Sequence, residues 1–360
     1  MASNEWFRRV WTVQEAYFAR EAILVLGRSQ CSYSALQSYS QWYGDITLFP
    51  GVFRARGLIL DYLVTAFEKS PGGRTRDAFR FLPHWLSLVR SSNLAADQRD
   101  TVYGVLGIIT SYWPQWPQFP VEYKLSPAQV YERFTKYIVR QTGTLNMLEP
   151  QYEEKDGSTP LEGLPSWVPD MRCAKVQDGI SAMNAKTVSL PALTRATTGS
   201  AVDMPTLAQS GDGEIRLRGK LIATVGSPSS RELSHGFKAL EEWMTALADA
   251  GLDFPARAFL PIPGTKTNIL GQLIDSVDVN GRAAVVLFLT SHNRLGVAPF
   301  NVRRGDYLVL LAGLDCPAVL RAGRGGTHTF VGRVAIEGVM DGEAWDAGKD
   351  PSDLDMFVLV

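Results

Sequence analysis

Glu214-Ile215-Arg216-Leu217-Arg218-Gly219-Lys220-Leu221-Ile222 alternates polar and apolar residues. A period of two sends every second side chain to the same face, so this run predicts a strand with one buried and one polar face. Downstream, Ala283 to Thr290, Tyr307 to Ala312, Ala318 to Arg321 and Thr327 to Val334 are further short apolar runs between Gly and Pro turns. A series of such strands is the pattern of a barrel or a sandwich. One helix interrupts it, from about His235 to Ala250, with Phe237, Leu240, Trp243, Met244 and Leu247 on one stripe and Gly251 at its end. That stripe is expected to pack against the sheet.

Upstream the period changes. Trp6, Val10, Val13 and Tyr17, then Leu58, Tyr62 and Phe67, then Phe81, Trp85 and Leu88, then Val130, Phe134, Ile138 and Gln141 recur at helical spacing, so the front of the chain reads as packed helices. Ser126-Pro127-Ala128-Gln129 supplies a serine cap, a proline at the first helical position and a glutamine three residues after the cap, which starts a helix running to about Gln141. Asp97 to Asp100 precedes Thr101-Val102-Tyr103-Gly104-Val105-Leu106-Gly107, predicting a short aspartate-capped helix that a glycine ends. Tyr112 to Pro120 carries three prolines and is expected to lie extended over a core. From Glu149 to Asp212 the composition turns to Gly, Ser, Thr, Pro and charges, which marks a long connection. Within it Leu164-Pro165-Ser166-Trp167-Val168-Pro169-Asp170 reads as an apolar clip pinned by Trp167. The expected class is α+β: a helical region over 1–148, an irregular linker over 149–212 and a strand-rich domain over 213–360.

Composition removes several functions. The 360 residues hold 36 Lys plus Arg against 37 Asp plus Glu, a formal charge of -1, so no bulk charge draws the chain to nucleic acid or anionic lipid. The longest apolar runs fall far short of a bilayer span, and the first residues lack a basic stretch followed by an apolar core, so a cytoplasmic location is expected. The three cysteines, Cys31, Cys173 and Cys316, and the four histidines, His84, His235, His292 and His328, show no metal-knuckle or HExxH spacing, and no metal is expected.

Four segments carry a family resemblance. Trp6-Phe7-Arg8-Arg9-Val10-Trp11-Thr12-Val13-Gln14-Glu15 resembles the W-F-x-R-x-W-x-x-Q-E run that closes the fungal heterokaryon incompatibility (HET) domain. Asp97-Gln98-Arg99-Asp100-Thr101-Val102-Tyr103-Gly104-Val105-Leu106-Gly107 is similar to the D-x-R-D-x-V-Y-A-L-L-G segment of those proteins, with Gly104 where alanine is usual. Leu164 to Asp170 resembles their L-P-S-W-V-P-D segment. Gly305-Asp306-Tyr307, Leu320-Arg321, Phe330-Val331-Gly332 and Gly338 through Ala344, with Gly342 and Glu343, resemble the terminal barrel region of many such chains. The family's S-Y-x-W-G and W-I-D-A-x-C-I-N-Q segments are not found, so the resemblance implies a chain truncated at its N-terminus, keeping only the end of a TIR-like α/β domain.

Two functions follow from that resemblance. The first is a protein acting by contacts in fungal non-self recognition and programmed cell death, without catalysis, through an apolar N-terminal face of Trp6, Phe7, Arg9, Trp11 and Gln14 that binds a protein partner or a second copy. The second is an enzyme. In TIR-type domains that cleave NAD, a glutamate four residues after a tryptophan is the catalytic carboxylate, and Trp11 and Glu15 have that spacing, which places both on one helix face. Such a carboxylate would stabilise an oxocarbenium-like ribosyl cation, with NAD as substrate and no other cofactor. A repurposed small-molecule enzyme using the cleft between the two halves is the variant of this reading. Asp97, Arg99, Asp100, Tyr103, Trp167, Gly305, Asp306, Arg321, Gly342 and Glu343 are expected to be structural: Arg99 with Asp100 as an ion pair, Asp341 with Glu343 in a solvated turn, Gly323 to Gly326 as a hairpin turn, and Arg303, Arg304 and Asp306 as a turn whose charges face solvent.

Overall fold

The computed structural model describes residues 9–32, 95–150, 161–172, 200–229, 285–299, 301–345 and 353–360, with the single positions 35, 82, 86, 196, 197, 244, 245 and 247–249. The chain divides into two units, residues 1–142 with 170–186, and residues 143–169 with 187–360. Among the described residues the class is mixed α+β, with a strand-rich C-terminal sheet.

In the first unit, α1 (Trp11–Phe18) buries Thr12, Val13 and Ala16. It is followed by a hairpin of β1 (Ile23–Leu26) and β2 (Ser29–Ser32), joined by Gly27 and Arg28, with Gly27 at φ 60. This hairpin corrects the reading of the front as wholly helical: Ile23-Leu24-Val25-Leu26 is a continuous apolar run, which periodicity alone does not sort into helix or strand. The helix α2 (Asp100–Tyr112) also differs from expectation. It runs through Gly104 and Gly107 instead of ending at a glycine. A Cβ at Gly104 would lie 3.1 Å from Val10 Cγ2, and one at Gly107 would lie 2.4 Å from Gln14 Oε1. The glycines therefore accommodate α1 against α2, and burial of that face outweighs the roughly 1 kcal/mol that a helical glycine costs.

The helix α3 (Pro127–Thr142) starts at the expected capping box: Gln129 Oε1 accepts the Ser126 N–H at 2.9 Å and Ser126 Oγ accepts the Gln129 N–H at 3.3 Å. Tyr112, expected outside any helix, is the last residue of α2, and the proline-rich run after it turns at 113–116 and packs on α3. Trp113 and Trp116 stack at 4.7 Å and 11°, Phe119 meets Phe134 edge-on at 5.5 Å, and the Tyr137 hydroxyl donates to the Pro117 carbonyl at 2.9 Å.

In the second unit a short helix, α4 (Met204–Ala208), precedes the strand that organises the sheet, β3 (Ile215–Pro228). It begins with the expected alternation, Ile215 and Leu217 buried between half-buried Arg216 and Arg218. It then continues past Ile222 with register shifts at Leu221/Ala223 and Val225/Ser227. These irregularities turn the strand, so its start pairs with β10 (Asp355–Leu359), its middle with β6 (Tyr307–Leu311) and its end with β4 (Val285–Thr290). The full order is β10-β8-β7-β6-β3-β4-β5-β9, with β7 (Ala318–Ala322), β8 (Thr327–Arg333), β5 (Leu295–Pro299) and β9 (Ala335–Ile336). Because β10 pairs with both β8 and β3, the pairings β3-β6-β7-β8-β10 return on themselves. A core of Val286, Phe288, Ala298, Leu308, Leu310, Val319, Val331 and Ile336 fills the strand-rich unit. Gly296 stands opposite Phe288 in the β4–β5 pair, where a Cβ would come within 2.2 Å of Phe288 Cζ. The aromatic ring occupies the space that the missing side chain leaves.

The Arg324–Gly326 turn joins β7 to β8 as expected. Of the predicted His235–Ala250 helix, only Met244, Thr245, Leu247, Ala248 and Asp249 are described, all helical; the remainder lies outside the described residues, as do the helices expected around Leu58 to Phe67 and most of the 149–212 connection. The clip is described: Trp167 is fully buried, and Ser166 joins it to two strands, its Oγ accepting the Phe330 N–H at 2.9 Å and its N–H donating to the Val360 carbonyl at 3.1 Å.

His328 lies where β8 meets β10 in parallel, with Phe357 at 5.4 Å and Tyr307 at 5.9 Å between ring centroids. Its Nδ1 is buried without a hydrogen-bond partner. Burial holds the imidazole below its ordinary value of 6.5, because removal from water penalises the charged form. A base whose folded pKa is depressed contributes stability above its unfolded pKa and loses it as pH falls through the folded value. Thermal melts of the parent are therefore expected to fall in midpoint below about pH 6.5, and His328→Phe to flatten that decline.

Candidate interaction surface around Trp11

Two of the segments singled out in the sequence meet in the first unit. α1 lies on α2 so that Trp11 Nε1 donates to Asp100 Oδ2 at 3.0 Å and Gln14 Nε2 donates to the Tyr103 carbonyl at 3.1 Å. The second oxygen of Asp100 accepts the Tyr123 hydroxyl at 2.7 Å. One carboxylate thus ties α1, α2 and the 120–125 stretch together, from the first turn of α2, where a negative charge complements the helix dipole.

Beside it, Arg99 is held by Asp97. Arg99 Nε donates to Asp97 Oδ1 at 2.8 Å and Nη2 to Oδ2 at 2.6 Å, while Nη1 donates to the Tyr123 and Leu125 carbonyls. The guanidinium carbon sits 5.1 Å from the Tyr123 ring centroid. The expected Arg99–Asp100 ion pair is therefore corrected: the fork of Arg99 meets Asp97, two residues back, and Asp100 is engaged by Trp11 and Tyr123. The charged hydrogen bonds from Arg99 hold the Asp97 carboxyl below its ordinary range. Burial and the adjacent Asp100 push the Tyr123 hydroxyl up to about 12. Tyr103 braces the same stretch, its hydroxyl donating to the Glu122 carbonyl at 3.1 Å and accepting the Glu122 N–H at 3.2 Å.

On the outer side of α1, Trp11 is 36% exposed and Phe18 is 54% exposed, with Glu15 exposed between them. Arg9 is exposed at the start of the helix, its carbonyl accepting the Thr12 hydroxyl at 2.6 Å. Trp6 and Phe7 lie outside the described residues. Of the candidate residues, the structure brings together Trp11, Gln14, Asp97, Arg99, Asp100 and Tyr103. Tyr123 completes this network and was not singled out from sequence, since Glu122-Tyr123-Lys124 has neither periodicity nor motif.

The remaining candidates belong to the other unit. The turn before β6 differs from expectation: Asp306 does not face solvent. It is 5% exposed, its oxygens accept Arg321 Nε at 2.9 Å and Arg321 Nη2 at 2.7 Å, and Oδ2 also accepts the Arg303 N–H at 2.7 Å. Gly305, at φ 88, supplies the backbone that only glycine adopts readily there. Glu343 accepts the Asp341 N–H at 2.8 Å in an exposed turn with Gly342 at φ 93, as expected. Cys316 is buried, and burial pushes its thiol up to about 11, which disfavours the thiolate at neutral pH. Among the described residues, no three His, Cys, Asp or Glu side chains gather as a metal site, and no helix is long and apolar enough to cross a membrane.

Because Asp100 accepts two hydrogen bonds that are each worth roughly 1 kcal/mol, Asp100→Ala is expected to lower stability by about 1–2 kcal/mol. Urea melts check the size of the loss.

Residues 276–354 match the model of the Het-6 beta-barrel domain, about a fifth of the chain, and the match covers β4 through β9. No curated protein and no solved structure matches the chain.

Proposed function

We propose that this chain is a heterokaryon-incompatibility-type protein that acts by protein contacts in fungal non-self recognition and programmed cell death, without catalysis of its own. The observation that carries this reading is the Het-6 beta-barrel match over 276–354. Support comes from the first unit, where the HET-like Trp11 segment and the HET-like Asp100 segment pack as neighbours. In this reading β6, β7 and β8, which lie both in the matched residues and in the closed run of pairings, belong to the barrel, and β3 and β10, outside 276–354, complete it. The outer face of α1, with Trp11 and Phe18, is the surface offered to a partner: a half-exposed indole whose N–H is already satisfied presents an apolar face with little further desolvation cost.

The competing reading is NAD cleavage by Glu15 in a TIR-like remnant. It draws on the exposed Trp11 and Glu15 one turn apart on α1. Its physical weakness is that same exposure. A carboxylate in water stabilises a ribosyl cation poorly, since such catalysis depends on a dry site of low dielectric. The two readings separate in a turnover assay on the purified chain. Nicotinamide release from NAD is expected to stay at the background rate over a series of protein concentrations, and Glu15→Ala to be indistinguishable from the parent. Release that rises with concentration and disappears in Glu15→Ala would replace the contact reading with the enzymatic one.

A further inference from the structure

The outer edge of β1 has the geometry to pair with itself. β1 and β2 form a sheet of their own, and among the described residues no third strand joins it. Two-stranded hairpins are marginal in water, and three or more strands are the usual minimum for independent stability. The edge strand reads Ile23-Leu24-Val25-Leu26, with none of the Lys, Pro or bulge devices that keep free edges from pairing. Ile23 is 53% exposed and Val25 is 69% exposed.

The register decides which backbone groups are available. Leu26 pairs with Ser29 and Leu24 with Cys31. The pair flanking a two-residue loop is a hydrogen-bonded one, and hydrogen-bonded and open pairs alternate along an antiparallel ladder. Leu24 and Leu26 therefore direct their N–H and C=O groups to β2, and Ile23 and Val25 direct theirs outward. A twofold axis perpendicular to a sheet keeps every side chain on its own face, so an edge that pairs with its own copy must place one residue opposite itself. Centring on Leu24 sets Ile23 opposite Val25 of the second copy and Val25 opposite its Ile23. Both are outward-bonding residues and both carry exposed apolar side chains, so one register satisfies the free backbone groups and pairs the exposed side chains.

We propose that β1 is a dimerisation strand: two copies of this chain join antiparallel across their β1 edges, centred on Leu24, to make one four-stranded sheet. This names a second copy as one partner within the contact reading above and rests on that reading only for its purpose. The pairing itself uses none of Trp11, Gln14 or Asp100.

Sedimentation velocity on the full chain, from about 1 to about 100 µM, covers the range from moderate to weak association. The parent is expected to shift from monomer to dimer across the series. Val25→Pro deletes one outward N–H that the hairpin does not use, and is expected to stay monomeric throughout. Gln30→Pro makes the same change on the opposite edge, at β2, and is expected to dimerise like the parent. Should Val25→Pro fail to fold, Val25→Lys decides instead: the side chain is exposed, so the monomer keeps its packing while the edge acquires a charge. Trp11→Ala is expected to dimerise normally. A parent that stays monomeric, a Val25 variant that dimerises unchanged, or loss of dimer in Gln30→Pro or Trp11→Ala alone would overturn the proposal. The last outcome would move the interface to the α1 face and leave the contact reading standing.

Discussion

Trp167→Ala is expected to destabilise the strand-rich unit by about 3–5 kcal/mol, the range for deleting a fully buried tryptophan. The indole has no exposed surface, and Val168 beside it is equally buried. Polar anchors hold the clip: the Val168 N–H reaches the Pro165 carbonyl at 3.0 Å, the Glu149 N–H reaches the Trp167 carbonyl at 3.4 Å, and Ser166 holds it to β8 and to the end of β10. Without the indole, those anchors and the buried Leu164 and Val168 must hold the turn against a cavity, and β10, which closes the strand pairings, loses its brace. The expected result in urea is a lower midpoint. A second transition, with β10 released first, would follow if the clip is what couples that strand to the rest. A loss under about 1 kcal/mol would mean that the site collapses around the cavity and that the clip is not a structural pin.

Arg321→Ala is expected to be nearly as severe, at about 3 kcal/mol, the low end for breaking a buried pair by removing one partner. The low end applies because the arginine side chain is 26% exposed against 5% for Asp306, so water can enter behind the lost guanidinium. What remains is a carboxylate held by the Arg303 N–H alone. The same guanidinium donates to the Asn301 carbonyl at 2.8 Å, so the 301–306 turn into β6 loses a second tie. Arg321→Lys keeps the charge and loses the planar two-pronged geometry, and is expected to recover only part of the loss. Equal stability of the lysine and arginine proteins in guanidinium melts would show that charge alone matters at this site.

The legible parts of this chain are those where local chemistry and tertiary packing agree. Ser126 and Gln129 satisfy each other's backbone groups whatever lies nearby, so the start of α3 follows from four residues. The alternation of Glu214 to Ile222 marks β3 because one face is buried along its first half. Beyond Ile222 the strand bends to serve different neighbours, the alternation fades, and its extension to Pro228 leaves no local trace. Gly107 reads as a helix end because a glycine's meaning depends on what approaches it, here Gln14 from α1. β9 has two residues, and β9 and β10 pair with strands distant in sequence, while β5 pairs with its neighbour β4 across a short turn. Asp306 shows the limit for charges: Arg-Arg-Gly-Asp has the composition of a solvated turn, and only Arg321, fifteen residues on, makes it a buried pair. Around Trp11 the sequence carried both motifs, while the carboxylate that links them and its third partner, Tyr123, emerge only from the packing.

The most direct test of the contact-based reading is induced expression of the full chain in a filamentous fungus, counting dead hyphal compartments with a vital dye for the parent, Glu15→Ala and Trp11→Ala at matched protein levels. The parent is expected to kill, Glu15→Ala to kill equally, and Trp11→Ala to be impaired. A parent that leaves the hyphae alive, or killing that vanishes with Glu15 and persists without Trp11, would contradict it.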